Sequence, residues 1–224
     1  MLKEEDLTYI KEHLNFWDKL SDAEKQLLKN NVETIKYNRG ENLHGGDKEC
    51  VGLILVKGGE LRVYILSEEG RDVTLYRLSE GDSCILSASC ILNSITFDVL
   101  IDAEQDTEVL LFNVGVFSKL VKENIYVENY MYKNAADRFS DVMWAMEQIL
   151  FMSFDKRLAV FLHDEMIKTE SNTINLTHEQ IAKYMGSARE VVSRMLKSFE
   201  SQGILKLSRG KIEIVDKNKL RKLL

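Results

Sequence analysis

The sequence predicts an α+β protein with an N-terminal β jelly roll, one long helix suited to pairing with a second copy, and a C-terminal winged helix-turn-helix. Three observations predict it: short apolar runs of period two between turn residues, a glycine-free amphipathic stretch after residue 125, and two closely spaced helix-start signals near residue 180. A length of 224 residues suits two modest cores. Charge supports the division, since residues 177–224 hold 11 Lys/Arg against 5 Asp/Glu, while residues 1–176 hold 19 against 31. A basic final quarter on an acidic body is an electrostatic footprint for phosphate.

Residues 1–31 read as short helices, with Ser21 and Glu24 forming a capping box ahead of Leu27 and Leu28. The period then changes to two. Val32, residues 51–56, Leu61/Val63/Ile65, Val73/Leu75, Phe97/Val99/Ile101 and Val109/Leu111 mark strands, several alternating with Arg62, Tyr64, Thr74, Tyr76 or Asp98. Turn residues separate them at 38–40, 45–47, 58–59, 68–70 and 80–82. Many short strands at this spacing build a sandwich or jelly roll rather than βαβ units.

Residues 125–152 read as one helix, which at 1.5 Å per residue extends about 42 Å, longer than the cover of a small jelly roll requires. Tyr132, Ala135, Phe139, Val142, Met146 and Ile149 follow at spacings of 3 and 4, the seam of a left-handed coiled coil and the expected homodimer interface. A second helix is expected over 154–168, and the polar stretch 169–175 reads as a hinge.

Composition excludes several classes. No apolar run reaches the roughly 18 residues of a membrane span and the first residues do not form a signal peptide, so a cytoplasmic protein without a membrane partner is expected. Cys50, Cys84 and Cys90 do not form a disulfide framework and are too few for a four-thiolate cluster. A cupin-like jelly-roll enzyme needs paired histidines with a carboxylate on adjacent strands, whereas only His44 lies in the strand region. No catalytic and no metal-ligating residues are therefore expected.

The strongest local signal lies in residues 177–203. Thr177 with Gln180, and Ser187 with Glu190, form two capping boxes, and Gly186 stands where the first helix must end. In the second helix Val192, Met195, Leu196 and Phe199 cluster on one side, while Arg189, Glu190, Ser193, Arg194 and Lys197 lie roughly 140° away. The apolar set anchors the helix, so the polar set faces outward. In a recognition helix such residues enter the major groove, where Arg takes guanine O6 and N7 and Glu accepts from cytosine N4. Thr177, Ser187 and the helix N-termini are placed to hold phosphates, and His178 beside Thr177 is a further DNA-binding candidate. Residues 204–215 read as a hairpin about Ser208, Arg209 and Gly210, a wing that brings Arg209 and Lys211 to a flanking phosphate.

These residues resemble the Crp/Fnr family of bacterial regulators over essentially the whole chain. The order is the same: N-terminal cap, cyclic-nucleotide-binding-like jelly roll, dimer helix, winged helix-turn-helix. The run from Arg189 to Arg194 is similar to that family's recognition-helix pattern. The resemblance implies an allosteric transcription regulator in which residues 1–123 sense a small effector, 124–152 dimerise and 153–224 bind DNA. Glu190 and Arg194 would read bases, Arg189 and Ser193 would add base or backbone contacts, and the operator would be palindromic. RNA polymerase joins the implied partners.

The match is poorer where the family binds its effector. Residues 81–99, at the place of the phosphate cassette, hold no basic side chain, and Val142 and Met143 stand where the family's adenine-contacting Thr-Ser pair falls. Cyclic AMP is therefore expected to bind weakly or not at all. The cysteine cluster of the iron–sulfur branch is also missing. Cys84, Ser87, Ala88, Ser89 and Cys90, with Phe139, Val142 and Met143, remain as effector-facing candidates, a set that suits haem or a small apolar effector. Cys84 and Cys90 read either as redox or haem-ligating groups of a gas- or redox-sensing regulator, or as buried small hydrophobes.

Overall fold

The computed structural model describes residues 2–45, 51–70, 72–87 and 99–224. They fall into two compact units, one within Met1–Gly70 and Leu75–Val142, the other within Arg71–Thr74 and Met143–Leu224.

The first unit opens with α1 (Glu4–His13) and α2 (Asp22–Lys29). The expected cap of α2 is present: Glu24 N–H donates to Ser21 Oγ at 3.3 Å, and Glu24 Oε2 accepts from Ser21 Oγ and from Ser21 N–H, each at 2.7 Å, which holds that carboxyl below its ordinary range. Eight strands follow: β1 (Val32–Tyr37), β2 (Asn42–His44), β3 (Leu53–Gly58), β4 (Glu60–Leu66), β5 (Asp72–Ser79), β6 (Ser83–Cys84), β7 (Leu100–Ala103) and β8 (Thr107–Phe112). They form two four-stranded sheets, ordered β1-β8-β3-β6 and β2-β7-β4-β5, as the jelly roll predicted. Gly59 makes the tight step from β3 to β4 at φ +88°. A Cβ there would lie 2.4 Å from Thr107 Oγ1 and 2.6 Å from the Asp106 carbonyl, so only glycine fits.

Two details differ from expectation. The strands β2 and β6 are too short to show a period, and Phe97 and Asp98 lie outside the described residues. The polar side of β4 is not solvated either: Arg62 is 2% exposed and Tyr64 9%. The Arg62 guanidinium stacks 4.4 Å from the Tyr64 ring centroid, Tyr64 Oη donates to Asp102 at 2.9 Å, and Arg77 pairs with buried Glu60 at 3.3 Å. Mutual pairing lets these groups leave water, which a simple alternation cannot anticipate.

An N-terminal core joins the caps to the sheet through Leu14, Phe16, Leu53, Phe112, Phe117 and Tyr130, with Phe16 edge-on to Tyr130 at 5.0 Å. A second core, around Val56, Val63, Leu78, Ile101 and Val109, fills the space between the sheets. α3 (Val114–Glu123) starts at Asn113, whose side chain accepts from the amides of Gly115 and Val116. The long helix α4 (Ile125–Phe151) then buries Val127, Tyr130 and Met131.

The second unit contains α5 (Phe154–Lys168), β9 (Thr173–Ile174), α6 (His178–Met185), α7 (Arg189–Ser201), β10 (Leu205–Ser208), β11 (Lys211–Ile214) and α8 (Lys217–Arg221). Its core draws on Leu158, Leu162, Ile181, Val192, Leu196, Phe199, Ile212 and Leu220. The stretch 169–175 is not the free hinge its polarity implies. Ile174 is buried and pairs with Ile212, so β9 adds a third strand to the hairpin in the order β10-β11-β9. Among the described residues no helix is long and apolar enough to cross a membrane.

Candidate nucleic-acid interface

Local chemistry fixes the turn between α6 and α7. Thr177 caps α6, accepting from Gln180 N–H at 3.2 Å while Gln180 Oε1 accepts from Thr177 N–H at 3.0 Å. At the other end Gly186 adopts φ +58°, its N–H donating to Lys183 O at 3.3 Å and that of Ser187 to Ala182 O at 2.9 Å. This pair of bonds is a Schellman motif, and it consumes Ser187 in closing α6. The expected second capping box with Glu190 consequently does not form: α7 starts one residue later, from Ala188, with no side-chain cap. Its first-turn amides are thus left for an external acceptor. Gly186→Ala is expected to destabilise this unit by about 1 kcal/mol, the cost of an L-residue in the left-handed region. Urea denaturation followed by circular dichroism checks it.

The faces of α7 separate as its sequence requires. Val192, Leu196 and Phe199 are buried, and Arg189, Glu190, Arg194 and Lys197 are exposed. The outward residues form two adjoining rows. Arg189, Ser193 and Lys197 follow at i, i+4 and i+8, with Glu190 and Arg194 one position on. The N-terminus of α6 abuts the first row, because His178 Nδ1 lies 3.2 Å from Ser193 Oγ. Burial, then the charges of Arg189 and Lys197, hold the His178 imidazole below its ordinary pKa. Thr177, before the start of α6, is exposed, and Ser187, beyond its end, is half-buried. In the wing, Ser208 pairs with Lys211 and Gly210 turns at φ +72°, leaving Arg209 and Lys211 exposed at the tip. Glu200 Oε1 accepts from Leu207 N–H at 2.8 Å and so ties β10 to α7.

The described candidate effector residues are brought together only in part. Cys84 is fully buried and burial pushes its thiol pKa up, as suits the buried small hydrophobe of the two readings. Ser87 is buried too, its Oγ lying 2.7 Å from Gly52 O and 2.8 Å from Cys84 O. Phe139 and Met143 face outward on α4, and Val142 packs against the inter-sheet core. Ala88, Ser89 and Cys90 lie outside the described residues. A basic group nonetheless stands near Asp82, and it comes from α4. Arg138 lies 2.8 Å from Asp141, 3.6 Å from Asp82 and 5.0 Å above the ring of buried Tyr76. Arg138 is far in sequence from residues 81–99 but one helical turn from Val142.

The exposed apolar stripe of α4 overlaps the expected seam only in part. Tyr132, Phe139 and Met146 are exposed as expected, and Ile149 is exposed beside them. Ala135 and Val142, however, turn inward onto the cores of their own unit. Ala136, Met143 and Leu150 are exposed in their place, so the outward stripe runs 132, 136, 139, 143, 146, 150.

A jelly roll, a long exposed helix and a winged helix-turn-helix with a cationic outer face together define the architecture of a two-unit DNA-binding regulator. The family model of the Crp-like helix-turn-helix domain matches residues 156–223. A solved structure assigned to the crp/fnr family of transcriptional regulators, from Eubacterium rectale, is 46% identical with a TM-score of 0.90, over 95% of this chain and 99% of that one. The cAMP-activated global transcriptional regulator CRP of Pasteurella multocida is 24% identical over 179 residues, spanning 77% of this chain and 84% of that protein. FixK2 from Bradyrhizobium japonicum shares the fold at a TM-score of 0.70, with 21% identity over 86% of this chain and 96% of that one. The chain belongs to the Crp/Fnr family of transcription regulators.

Proposed function

We propose that this protein is a homodimeric, sequence-specific regulator that acts in the cytoplasm on a palindromic duplex operator and is switched by a small effector. The observation that carries this reading is the division of α7, whose apolar side is buried while Arg189, Glu190, Arg194 and Lys197 stand in solvent. Glu190 and Arg194 form the row that reads base edges. Arg189, Ser193 and Lys197, with Thr177 and His178 at the start of α6 and Ser187 beyond its end, grip the backbone, and Arg209 and Lys211 reach the next phosphate from the wing. The outward stripe of α4 pairs with a second copy, which sets the spacing of the two recognition helices. Transcription makes RNA polymerase the protein partner.

Residues 1–123 serve as the sensor, 124–152 as the dimer helix and 153–224 as the reader. The effector differs from cyclic AMP in chemistry, because Arg138, a cation beside Asp82, is already engaged by Asp141 and Asp82. Calorimetry giving micromolar affinity for cyclic AMP would overturn that part. For the operator, selection from a random duplex pool is expected to return an inverted repeat. Arg194→Ala then costs about 1–3 kcal/mol per half-site and relaxes one symmetric base position. An unchanged consensus would contradict the assignment of α7.

A further inference from the structure

We propose that His178 is a proton-coupled phosphate contact: it grips the DNA backbone as an imidazolium, so each protomer takes up a proton on engaging duplex DNA and holds it more tightly as the medium acidifies. The inference rests on α7 being the DNA-reading helix and adds a regulated residue to it. His178 is the first residue of α6 and reaches across the turn to Ser193, in the middle of the row formed by Arg189, Ser193 and Lys197. Its partner is a hydroxyl, and this choice matters. A hydroxyl can donate to a neutral Nδ1 or accept from a protonated one, so the contact at 3.2 Å survives either state of the ring. A carboxylate at that place would lock the ring charged, and an ammonium would lock it neutral.

The surrounding charges are set against protonation while DNA is absent. Arg189 and Lys197 act on the ring from α7, and on its own helix Glu179 and Lys183 are exposed. A third cation between two others is disfavoured, and partial burial adds to the penalty, so the free protein holds the ring neutral near pH 7. A backbone phosphate at this row reverses the balance, since one anion then offsets three positive groups. The pKa of the bound state rises above that of the free state. By linkage, the gain in affinity is complete below the free-state pKa and vanishes above the bound-state pKa.

Fluorescence anisotropy of the full-length protein with a random-sequence duplex, at constant ionic strength, tests this between about pH 5.5 and pH 8, the range in which histidine titrates. A bound-state rise of one pKa unit makes the acid end tighter by about tenfold per protomer and about a hundredfold per dimer. His178→Gln is expected to bring the ratio of affinities at the two ends close to one, and His178→Arg to make binding insensitive to pH and tight throughout. NMR titration of the His178 ring with and without the duplex reads the two pKa values directly, independently of any variant. An identical pH slope in wild type and His178→Gln, or a ring pKa unmoved by DNA, overturns the proposal while leaving the DNA-binding reading intact. A wild-type protein that binds no duplex at any pH overturns both.

Discussion

Phe139→Glu is expected to break the proposed homodimer into a folded monomer that has lost its operator. Phe139 is 66% exposed and lies in the middle of the outward stripe of α4, flanked at helical spacing by Tyr132, Ala136, Met143 and Met146. In a two-fold pairing of this stripe each phenylalanine would be buried against the partner helix. Losing both removes about 3–6 kcal/mol, a factor of roughly 10²–10⁴ in the dimer constant. The two carboxylates that replace them would be desolvated without counter-charges, which weakens association further. The fold of the isolated chain should persist, because the side chain lies outside all three hydrophobic cores. Sedimentation equilibrium at micromolar concentration gives the outcome, with circular dichroism as the check on folding. Ala135→Glu is the contrasting variant: it turns into the N-terminal core, so its effect is loss of structure rather than clean dissociation. Undisturbed association of Phe139→Glu would remove the stripe from the interface.

That contrast also marks what the sequence can and cannot reveal. A 3-4 spacing identifies an amphipathic helix and its extent, and residues 125–152 were legible for that reason, as were the cap at Thr177, the end at Gly186 and the wing about Gly210. Such signals are local. Which of two adjacent apolar rows faces inward is decided by the sheets the helix packs on, so Ala135 and Ala136 cannot be told apart beforehand. The same holds for Ser187, where two local bonding schemes competed and the Schellman closure of α6 prevailed over a cap on α7. Tyr64 and Arg138 were illegible for a third reason. Their burial depends on partners distant in sequence, Asp102 for Tyr64 and Tyr76 with Asp82 for Arg138, which no period encodes.

A distant pairing of this kind carries the second large effect. Asp6 on α1 is 1% exposed and accepts from Lys57 Nζ at 2.6 Å, from Thr34 Oγ1 at 3.1 Å and from its own cap at Lys3 N–H. Lys57 also reaches Glu108 at 2.7 Å, so one ammonium fastens α1 to β3 and β8. Burial alone would raise the Asp6 carboxyl, but Lys57 and the hydrogen bonds outweigh it and the group lies below its ordinary value. Lys57→Met leaves that carboxylate buried with only Thr34 and the Lys3 amide, and is expected to destabilise the first unit by about 3 kcal/mol. Asp6→Leu combined with Lys57→Met should recover most of the loss, since the charge that needed a partner is gone. The pH dependence separates this from a packing defect. In the wild type the depressed carboxyl contributes stability above its unfolded pKa, and the contribution is lost as pH falls through the folded value. In Lys57→Met burial prevails and the folded pKa rises above the unfolded one. The cost is then full at neutral pH and disappears as acid protonates Asp6, so lowering the pH from about 7 to about 4 should narrow the gap to wild type. Urea titrations followed by Trp17 fluorescence, in a Trp144→Phe background, report on this unit because Trp17 belongs to its core. A gap that stays constant with pH would mean that Lys57 acts through packing of its chain and not through the charge on Asp6.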